Sequence, residues 1–237
     1  ARRALDGRDD ALEGGLGAQN AGRERATRGD HLGSYGGRDA GHFAGAGIYN
    51  AGDLHLYNSS VYGNISTFAG AGILNTSRLN INNSTISQNV SSAYGSRGGG
   101  IHNFEGGVTI QNSIIAGNQA GQVDAHIAAS MQPDCYNQGA ITSLGNNIIQ
   151  NISGCSITSV AGDKFNVDPH LGAFVKPSGY IALLAGSPAI NSGNPDTCYR
   201  ESDQRGLERE EQCDIGAYEY AEPGPAFGLA VIDGDQQ

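Results

Sequence analysis

Apolar and polar residues alternate along the middle of the chain, as in Leu54-His55-Leu56 and Leu79-Asn80-Ile81. A period of two residues is typical of short β-strands, whereas an amphipathic helix spaces its apolar residues by three or four. Gly and Asn cluster between these stretches, where tight turns favour them. The pattern therefore predicts a series of short strands joined by turns.

These strands belong to a repeat whose units open on Gly-x-Gly-Ile-x-Asn at Gly45, Gly70 and Gly98, with spacings of 25 and 28 residues. Repeats of this length are typical of solenoids, in which stacked units bury a continuous core. In register, the units form four apolar columns: Ile48, Ile73 and Ile101; Leu54, Leu79 and Val108; Leu56, Ile81 and Ile110; and Val61, Ile86 and Ile115. The repeat predicts an all-β parallel β-helix, a β-solenoid, over residues 45–220. Residues 1–44 would be an irregular Gly-, Arg- and Asp-rich extension, and 221–237 a C-terminal tail with a strand-like segment.

Asparagines recur at fixed positions of the repeat. Asn50, Asn75 and Asn103 share one column, where stacked side-chain amides are expected to form a ladder. Seven asparagines also lie in Asn-x-Ser/Thr sequons: Asn58, Asn64, Asn75, Asn82, Asn83, Asn89 and Asn151. Turn and ladder roles are the favoured interpretation, and glycosylation stays open for positions that face outward.

Composition narrows the classes of partner. Glycine is the commonest residue, with 37 copies, and the formal net charge is −10 without a Lys- or Arg-rich run. Nucleic acid and anionic membrane surfaces are therefore poor partners. No apolar stretch has the length of a membrane span. Glycans and further copies of the chain remain as candidate partners.

Four cysteines, Cys135, Cys155, Cys198 and Cys213, form an even set with no Cys-x-x-Cys pair and no His at metal-ligand spacing. Two local disulfides are the simplest interpretation, and disulfides favour a secreted or cell-surface location. The chain begins at Ala1 without an apolar signal segment, so we expect any export signal to have been removed or to lie outside this sequence.

The C-terminal half is less periodic but contains distinctive strings: Pro133-Asp134-Cys135, Ser143 to Ile148, Gly154-Cys155, Val167 to Gly172, Gly186 to Asn191, Asp203-Gln204-Arg205-Gly206 and Cys213 to Glu219. Together with the repeat motif, they resemble the choice-of-anchor Q domain proteins, which are bacterial exported proteins related in fold to the pectate-lyase-like superfamily. The resemblance covers roughly residues 45 to 220. It implies a right-handed parallel β-helix, closed near its C-terminal end by the Asp203 and Cys213 strings, and little about activity. The cysteine spacing beside it predicts the pairs Cys135–Cys155 and Cys198–Cys213.

Catalytic chemistry on a β-helix needs reactive side chains that converge across neighbouring coils. Asp53 aligns with Arg78 and then Gly106, so this column has no second carboxylate for paired-acid hydrolysis. His55 and His102 stand singly in their columns and are expected to be solvated surface residues.

The densest charged set comprises Asp203, Arg205, Asp214 and Glu219. We expect a buried salt-bridge and turn network that seals the last coil, with an active site as the alternative. Asp163 and Asp168 carry oxygen ligands of the kind that Ca²⁺ prefers, but their spacing matches no known loop. The sequence contains no cofactor motif and no clear metal site.

Two functions follow from these observations. The first is a non-enzymatic extracellular or cell-surface scaffold, adhesive or self-assembling into a filament through its terminal segments, among them the strand-like run with Phe227, Leu229 and Val231. The alternative is a polysaccharide lyase or epimerase.

Overall fold

The computed structural model describes residues 47–67, 69–92, 96–121, 134–176, 178–198 and 202–222, together with the backbone of 18–20, 23–27 and 31–32. Its strands in chain order are β1 (Ala18–Asn20), β2 (Arg23–Thr27), β3 (His31–Leu32), β4 (Ile48–Asn50), β5 (Asp53–Tyr57), β6 (Ser60–Tyr62), β7 (Ile65–Ser66), β8 (Ile73–Asn75), β9 (Arg78–Asn82), β10 (Thr85–Ser87), β11 (Val90–Ser91), β12 (Ile101–Asn103), β13 (Gly107–Gln111), β14 (Ile114–Ala116), β15 (Gln119–Ala120), β16 (Cys135–Asn137), β17 (Ile141–Ser143), β18 (Ile148–Ile149), β19 (Lys164–Phe165), β20 (Leu171–Val175) and β21 (Tyr180–Leu183). The helical structure in these residues is a short 3-10 turn, Pro195–Thr197.

The strands stack into four parallel sheets, and each complete coil contributes one strand to each sheet. The first sheet contains β1, β4, β8, β12 and β16, and the second contains β2, β5, β9, β13 and β17. The third contains β3, β6, β10, β14, β18 and β19, and the fourth β7, β11 and β15. The parallel β-helix predicted from the repeat is confirmed.

The core runs along the inside of the stack. Ile73 pairs with Ile48 on one side and with Ile101 on the other, and all three side chains have 0% exposure. The column of Leu54, Leu79 and Val108 is equally buried, and the third and fourth columns also have the registers expected from the sequence. The Gly of the motif is needed for this close stacking, since a Cβ on Gly72 would lie 2.5 Å from the carbonyl oxygen of Gly100.

The stack extends into the segment that the sequence analysis treats as an irregular extension. Within residues 1–44, β1 pairs in parallel with β4, β2 with β5 and β3 with β6. The repeat is hard to see there because Ala18 and Glu24 occupy the register positions of Ile48 and Leu54. Backbone pairing to the next coil does not require the apolar side chains that make the other units recognisable.

A different segment covers the opposite end of the core. Cys155 is bonded to Cys135 in the last strand of the first sheet. Ile152, Ile157 and Phe165, all partly buried, pack with Cys155 against the core. This loop after β18 closes the C-terminal end of the stack.

The rest of the chain turns back along the outside of the third sheet. We call the described parts of residues 171–220 the cover: they comprise the antiparallel hairpin of β20 and β21 and the irregular segment after it. Ile114 and Ile148, on the outer face of the third sheet, are fully buried against Leu183, Ala189 and Ile215. The third sheet is therefore buried on both faces.

Turn asparagines guide the path of the cover. Asn58, Asn83, Asn112 and Asn146 stand at equivalent turns with φ between 43° and 54°, a left-handed conformation that Asn tolerates well. Asn146 donates to Ser192 O at 2.9 Å, Asn112 Oδ1 accepts from Asn194 N at 2.9 Å, and Asn58 donates to Ser202 O at 2.8 Å. The cover thus descends the coils in the order opposite to their stacking.

This path corrects one prediction. The strings that begin at Asp203 and Cys213 were expected to seal the last coil, but Gln204 accepts a hydrogen bond from Ser60 at 2.7 Å and Ala217 N donates to Thr85 Oγ1 at 3.1 Å. Both partners belong to early coils, because the cover has already run back along the third sheet. The disulfide Cys198–Cys213 lies within the cover.

Candidate functional surfaces

Two amide ladders run along the stack. In the first, Asn50 Nδ2 donates to Asn75 Oδ1 at 2.6 Å and Asn75 Nδ2 donates to Asn103 Oδ1 at 2.8 Å, in the column expected from the sequence. The second ladder comprises Asn64, Asn89, Asn118 and Asp134, and both the backbone N and the Nδ2 of each asparagine donate to the next residue's Oδ1. Asn64, Asn89 and Asn118 also recur in the sequence, at the end of successive repeat units.

An aspartate ends the second ladder for a chemical reason. Each asparagine of the ladder accepts with its Oδ1 and donates with its Nδ2, whereas the last residue must accept with both of its side-chain atoms, which a carboxylate can do and an amide cannot. Asp134 Oδ1 accepts from Asn118 N at 2.8 Å and from Asn118 Nδ2 at 2.9 Å, while Oδ2 accepts from Asn151 N at 2.8 Å. Burial, the largest cause, raises the pKa of Asp134 to about 7 against the opposing effect of these hydrogen bonds.

Asp163 has a similar position at the end of another polar column. Its Oδ1 accepts from Asn147 N at 3.0 Å, and its Oδ2 accepts from Val160 N at 2.9 Å. Among the described residues, no group of three His, Cys, Asp or Glu side chains could hold a metal ion. Asp163 therefore has a structural partner for each oxygen, and Asp168 Oδ1 accepts from His170 N at 2.8 Å.

Burial separates the seven sequons into two groups. Five of their asparagines have 0% exposure: Asn58, Asn64, Asn75, Asn83 and Asn89. Asn82 and Asn151 are half-buried. In the folded protein, these two alone among the seven have any exposed surface.

The charged set singled out from the sequence forms a largely buried network within the cover. Asp203 has 0% exposure, and its carboxylate accepts hydrogen bonds from Arg205 N, Leu207 N, Glu219 N and Arg205 Nε. The Arg205 guanidinium lies 3.7 Å from the centroid of the Tyr218 ring, a cation–π distance. Three main-chain donors and the Arg205 side chain therefore saturate this carboxylate and fix the turn that follows it.

Arg209 completes the network and was missed in the sequence. Its Nη1 donates to Glu219 Oε2 at 2.8 Å and its Nη2 to Asn58 Oδ1 at 2.9 Å, which joins the cover to a turn asparagine. Burial, the largest cause, lowers the pKa of Arg209, and Glu219 opposes that shift. Asp214 Oδ1 accepts from Asn191 N at 2.7 Å, and burial raises the pKa of Asp214 to about 6.

The outer face of the second sheet presents a line of polar side chains. His55 Nε2 lies 3.2 Å from Asp53 Oδ1, and His55 Nδ1 lies 3.1 Å from Tyr57 Oη. Asn80 of the next coil places its Nδ2 3.4 Å from the same Nδ1, and Arg78 Nη1 lies 3.8 Å from Asp53 Oδ2. Two donors at Nδ1 favour the tautomer that carries its proton on Nε2.

His55 is thus half-buried and partnered, and not an isolated surface histidine. In the same sheet Arg78 pairs with Gly107, whereas the sequence alignment placed Gly106 in that position. The extra Gly lies in the turn before β13.

The outer face of the first sheet presents what we call the aromatic patch: Arg97, His102, Phe104 and Tyr136. Arg97 Nη1 donates to Tyr136 Oη at 2.6 Å. The His102 ring meets the rings of Tyr136 and Phe104 edge-on, with centroid distances of 5.3 Å and 6.0 Å. Phe104 is 44% exposed, whereas His102 is only 8% exposed, so the prediction that His102 is a solvated surface residue is wrong.

Both ring nitrogens of His102 are buried without a hydrogen-bond partner. Burial, the largest cause, and the charge of Arg97 lower the pKa of His102, while the nearby Gln138 side chain offsets part of this shift without completing a hydrogen bond. His102 is therefore a neutral imidazole with one donor and one acceptor unsatisfied.

No protein-family model and no curated protein matches this chain. Within the described residues, no helix has the length and apolar character needed to cross a membrane. The candidate surfaces must therefore be interpreted from their own chemistry.

Proposed function

We propose that this chain is a non-enzymatic extracellular or cell-surface structural protein, an adhesive β-helix that associates with further copies through its terminal segments. The proposal agrees with the resemblance to choice-of-anchor Q domain proteins. Two disulfides are compatible with an extracellular location.

The observation that carries the proposal is that the carboxylates of the densest charged set bind main-chain N–H groups of the protein itself. Asp203, Asp214 and Glu219 are buried and accept hydrogen bonds from main-chain N–H groups of the cover. Carboxylates engaged in this way position backbone and present no free oxygen to a substrate. The arrangement supports a molecule whose polar groups maintain a rigid body.

Self-association is supported at one end of the stack. Within the described residues, β1, β2 and β3 are the edge strands of their sheets and pair on one side only. Unpaired strand edges are docking sites for further strands. At the opposite end β16, β17 and β19 are edge strands as well. The residues around Cys155 pack against the core there, so we place the association between copies at the N-terminal coil. Phe227, Leu229 and Val231 lie outside the described residues.

Bead retention tests adhesion directly. Beads coated with the folded protein are passed under flow over films of cellulose, chitin and the protein itself, beside beads coated with protein that was unfolded in urea, reduced and alkylated. We expect the folded coat to be retained on at least one film and the unfolded coat to wash off. Equal retention of both coats on every film would overturn the proposal.

The line of polar side chains on the outer face of the second sheet supports the alternative function, a polysaccharide lyase or epimerase. Such enzymes need a base and a nearby cation, and Tyr57, His55, Asp53 and Arg78 form a continuous series of contacts. An enzyme of this kind would release unsaturated or epimerised product, whereas a scaffold would leave the polysaccharide unchanged.

A further inference from the structure

The aromatic patch contains an energetic anomaly. Leaving a buried polar atom without a partner is unfavourable, and His102 has two such atoms in one ring. Natural proteins rarely retain such groups without a role. His102 does not belong to the core: its neighbours on β12, Ile101 and Asn103, pair with the inward-facing Ile73 and Asn75, so His102 points to the outer face of the sheet.

The surroundings of His102 indicate the chemistry of a ligand. Phe104 exposes 44% of its surface, and Tyr136 is half-exposed beside it. Aromatic rings of this kind pack against apolar faces, while a few polar groups fix orientation in small-molecule sites. Tyr49 and Leu74 continue the same outer column along the stack, so an extended ligand would meet further half-buried side chains.

The charge state of the patch argues for a neutral ligand. The His102 imidazole is uncharged, and the Arg97 guanidinium is engaged with the Tyr136 hydroxyl. The chain as a whole carries a formal charge of −10, which repels anions. A hydroxyl group both donates and accepts, so hydroxyls satisfy the two ring nitrogens together.

We propose that the aromatic patch binds a neutral oligosaccharide, with hydroxyl groups on the His102 nitrogens and a sugar face on Phe104 and Tyr136. This inference rests on the proposed adhesive function and names the ligand class for it. The ring nitrogens are shielded from solvent, so the sugar reaches them by displacing the exposed side chain of Arg97 from the Tyr136 hydroxyl.

The variant His102→Phe separates binding from folding. Phe keeps the ring but removes both unsatisfied nitrogens, so the variant should melt at the same temperature as the parent protein or above it. Titration calorimetry with neutral hexasaccharides of glucose, mannose, xylose and N-acetylglucosamine should show saturable binding to the parent. The affinity of His102→Phe should fall by about tenfold or more, the loss expected when hydrogen bonds to neutral groups are removed. The control His170→Asn also removes an imidazole, at an exposed position after the last coil where Asn tolerates the φ of 49°, and should bind as the parent does.

Binding of none of these probes at about 10 mM, a concentration that detects even millimolar affinity, would overturn the inference, as would equal binding by His102→Phe. Bead retention without oligosaccharide binding would leave the adhesive function standing and remove this site. Loss of bead retention on every film would instead remove the function itself.

Discussion

Replacing Asn89 by Asp is an isosteric change that reverses one rung of the second amide ladder. Asn89 has 0% exposure, and its Nδ2 donates to Asn118 Oδ1 at 2.8 Å and to Val61 O at 3.0 Å. The variant places an oxygen against each of these two acceptors. Its other oxygen still accepts from Asn64, so the change keeps acceptance, removes donation and adds an ionisable group to a buried position.

The magnitude follows from the two lost hydrogen bonds. Asn118 Oδ1 keeps the Asn89 backbone N–H as a donor, so the cost arises from the two lost hydrogen bonds and from a buried carboxylate oxygen that faces two acceptors. An unsatisfied buried polar group costs about 1–3 kcal/mol, so Asn89→Asp should lower the free energy of unfolding by about 2–6 kcal/mol at neutral pH. Near pH 4 a protonated carboxyl can donate one hydrogen bond, and the loss should shrink. Urea unfolding followed by far-UV circular dichroism at both pH values measures these differences.

Asn82→Asp is the matched control. Asn82 is half-buried, and its Nδ2 contacts Gln111 Oε1 and Thr197 O only at 3.4 Å. This variant should lose about 1 kcal/mol or less. If Asn89→Asp unfolds at the same urea concentration as Asn82→Asp, the directional ladder is wrong.

Three further predictions concern the core, the cover and the buried acids. Ile73→Ala should lose about 2–5 kcal/mol, while Leu74→Ala, at the next and outward position, should lose less than half as much in urea melts; equal losses would contradict the register. Replacing Cys198 and Cys213 together by Ser opens a bridge with a sequence separation of 15 and should lower stability by about 3 kcal/mol, with an unchanged melting temperature as the contrary result. The folded pKa of Asp134 is raised to about 7 from 3.8, so its contribution to stability is present below pH 3.8 and is lost as pH rises through about 7. The melting temperature should therefore fall between pH 5 and pH 8 more steeply in the parent than in Asp134→Asn; parallel curves would contradict this.

The coils could be predicted because the same residue types recur at fixed spacing. Ile48, Ile73 and Ile101 face the same environment in successive units, so the sequence specifies their column. The strand-like alternation of Leu54 and Leu56 also identifies the inward face. Periodicity of this kind needs no knowledge of distant contacts.

The cover could not be predicted in the same way because its contacts are not periodic. Asn58 and Ser202 are separated by 144 residues, and no spacing in the chain relates them. Arg209 stands in the run Glu208 to Glu211, which has the composition of a solvated surface, yet its side chain is only 2% exposed. Tertiary pairing with Glu219 and Asn58 decides its position, and single-residue patterns do not contain that information.

The candidate surfaces also combine features that the repeat predicts with features that depend on tertiary contacts. The alignment of His102 with Tyr49 and Leu74 was available from the repeat, and the structure retains it. Its burial arises from the Tyr136 and Phe104 rings packed around it, which the alignment does not show. Asp134 is a single aspartate that follows a series of asparagines in the sequence. Because it stands only 16 residues after Asn118, its place in the same column could not be recognised from the spacing of the repeat.

The central claim is that the polar surface supports a scaffold and not a catalyst. The most direct test is whether the polar side chains on the outer face of the second sheet convert a polysaccharide. The parent protein and His55→Ala are incubated with polygalacturonate, alginate and hyaluronate, and the ultraviolet absorbance of unsaturated products is followed together with the proton spectrum that reports epimerised units. The account predicts that, with either protein, no polysaccharide yields more unsaturated or epimerised product than a control sample without protein. Product that forms with the parent and disappears with His55→Ala would contradict it and assign catalysis to the line of Asp53, His55 and Tyr57.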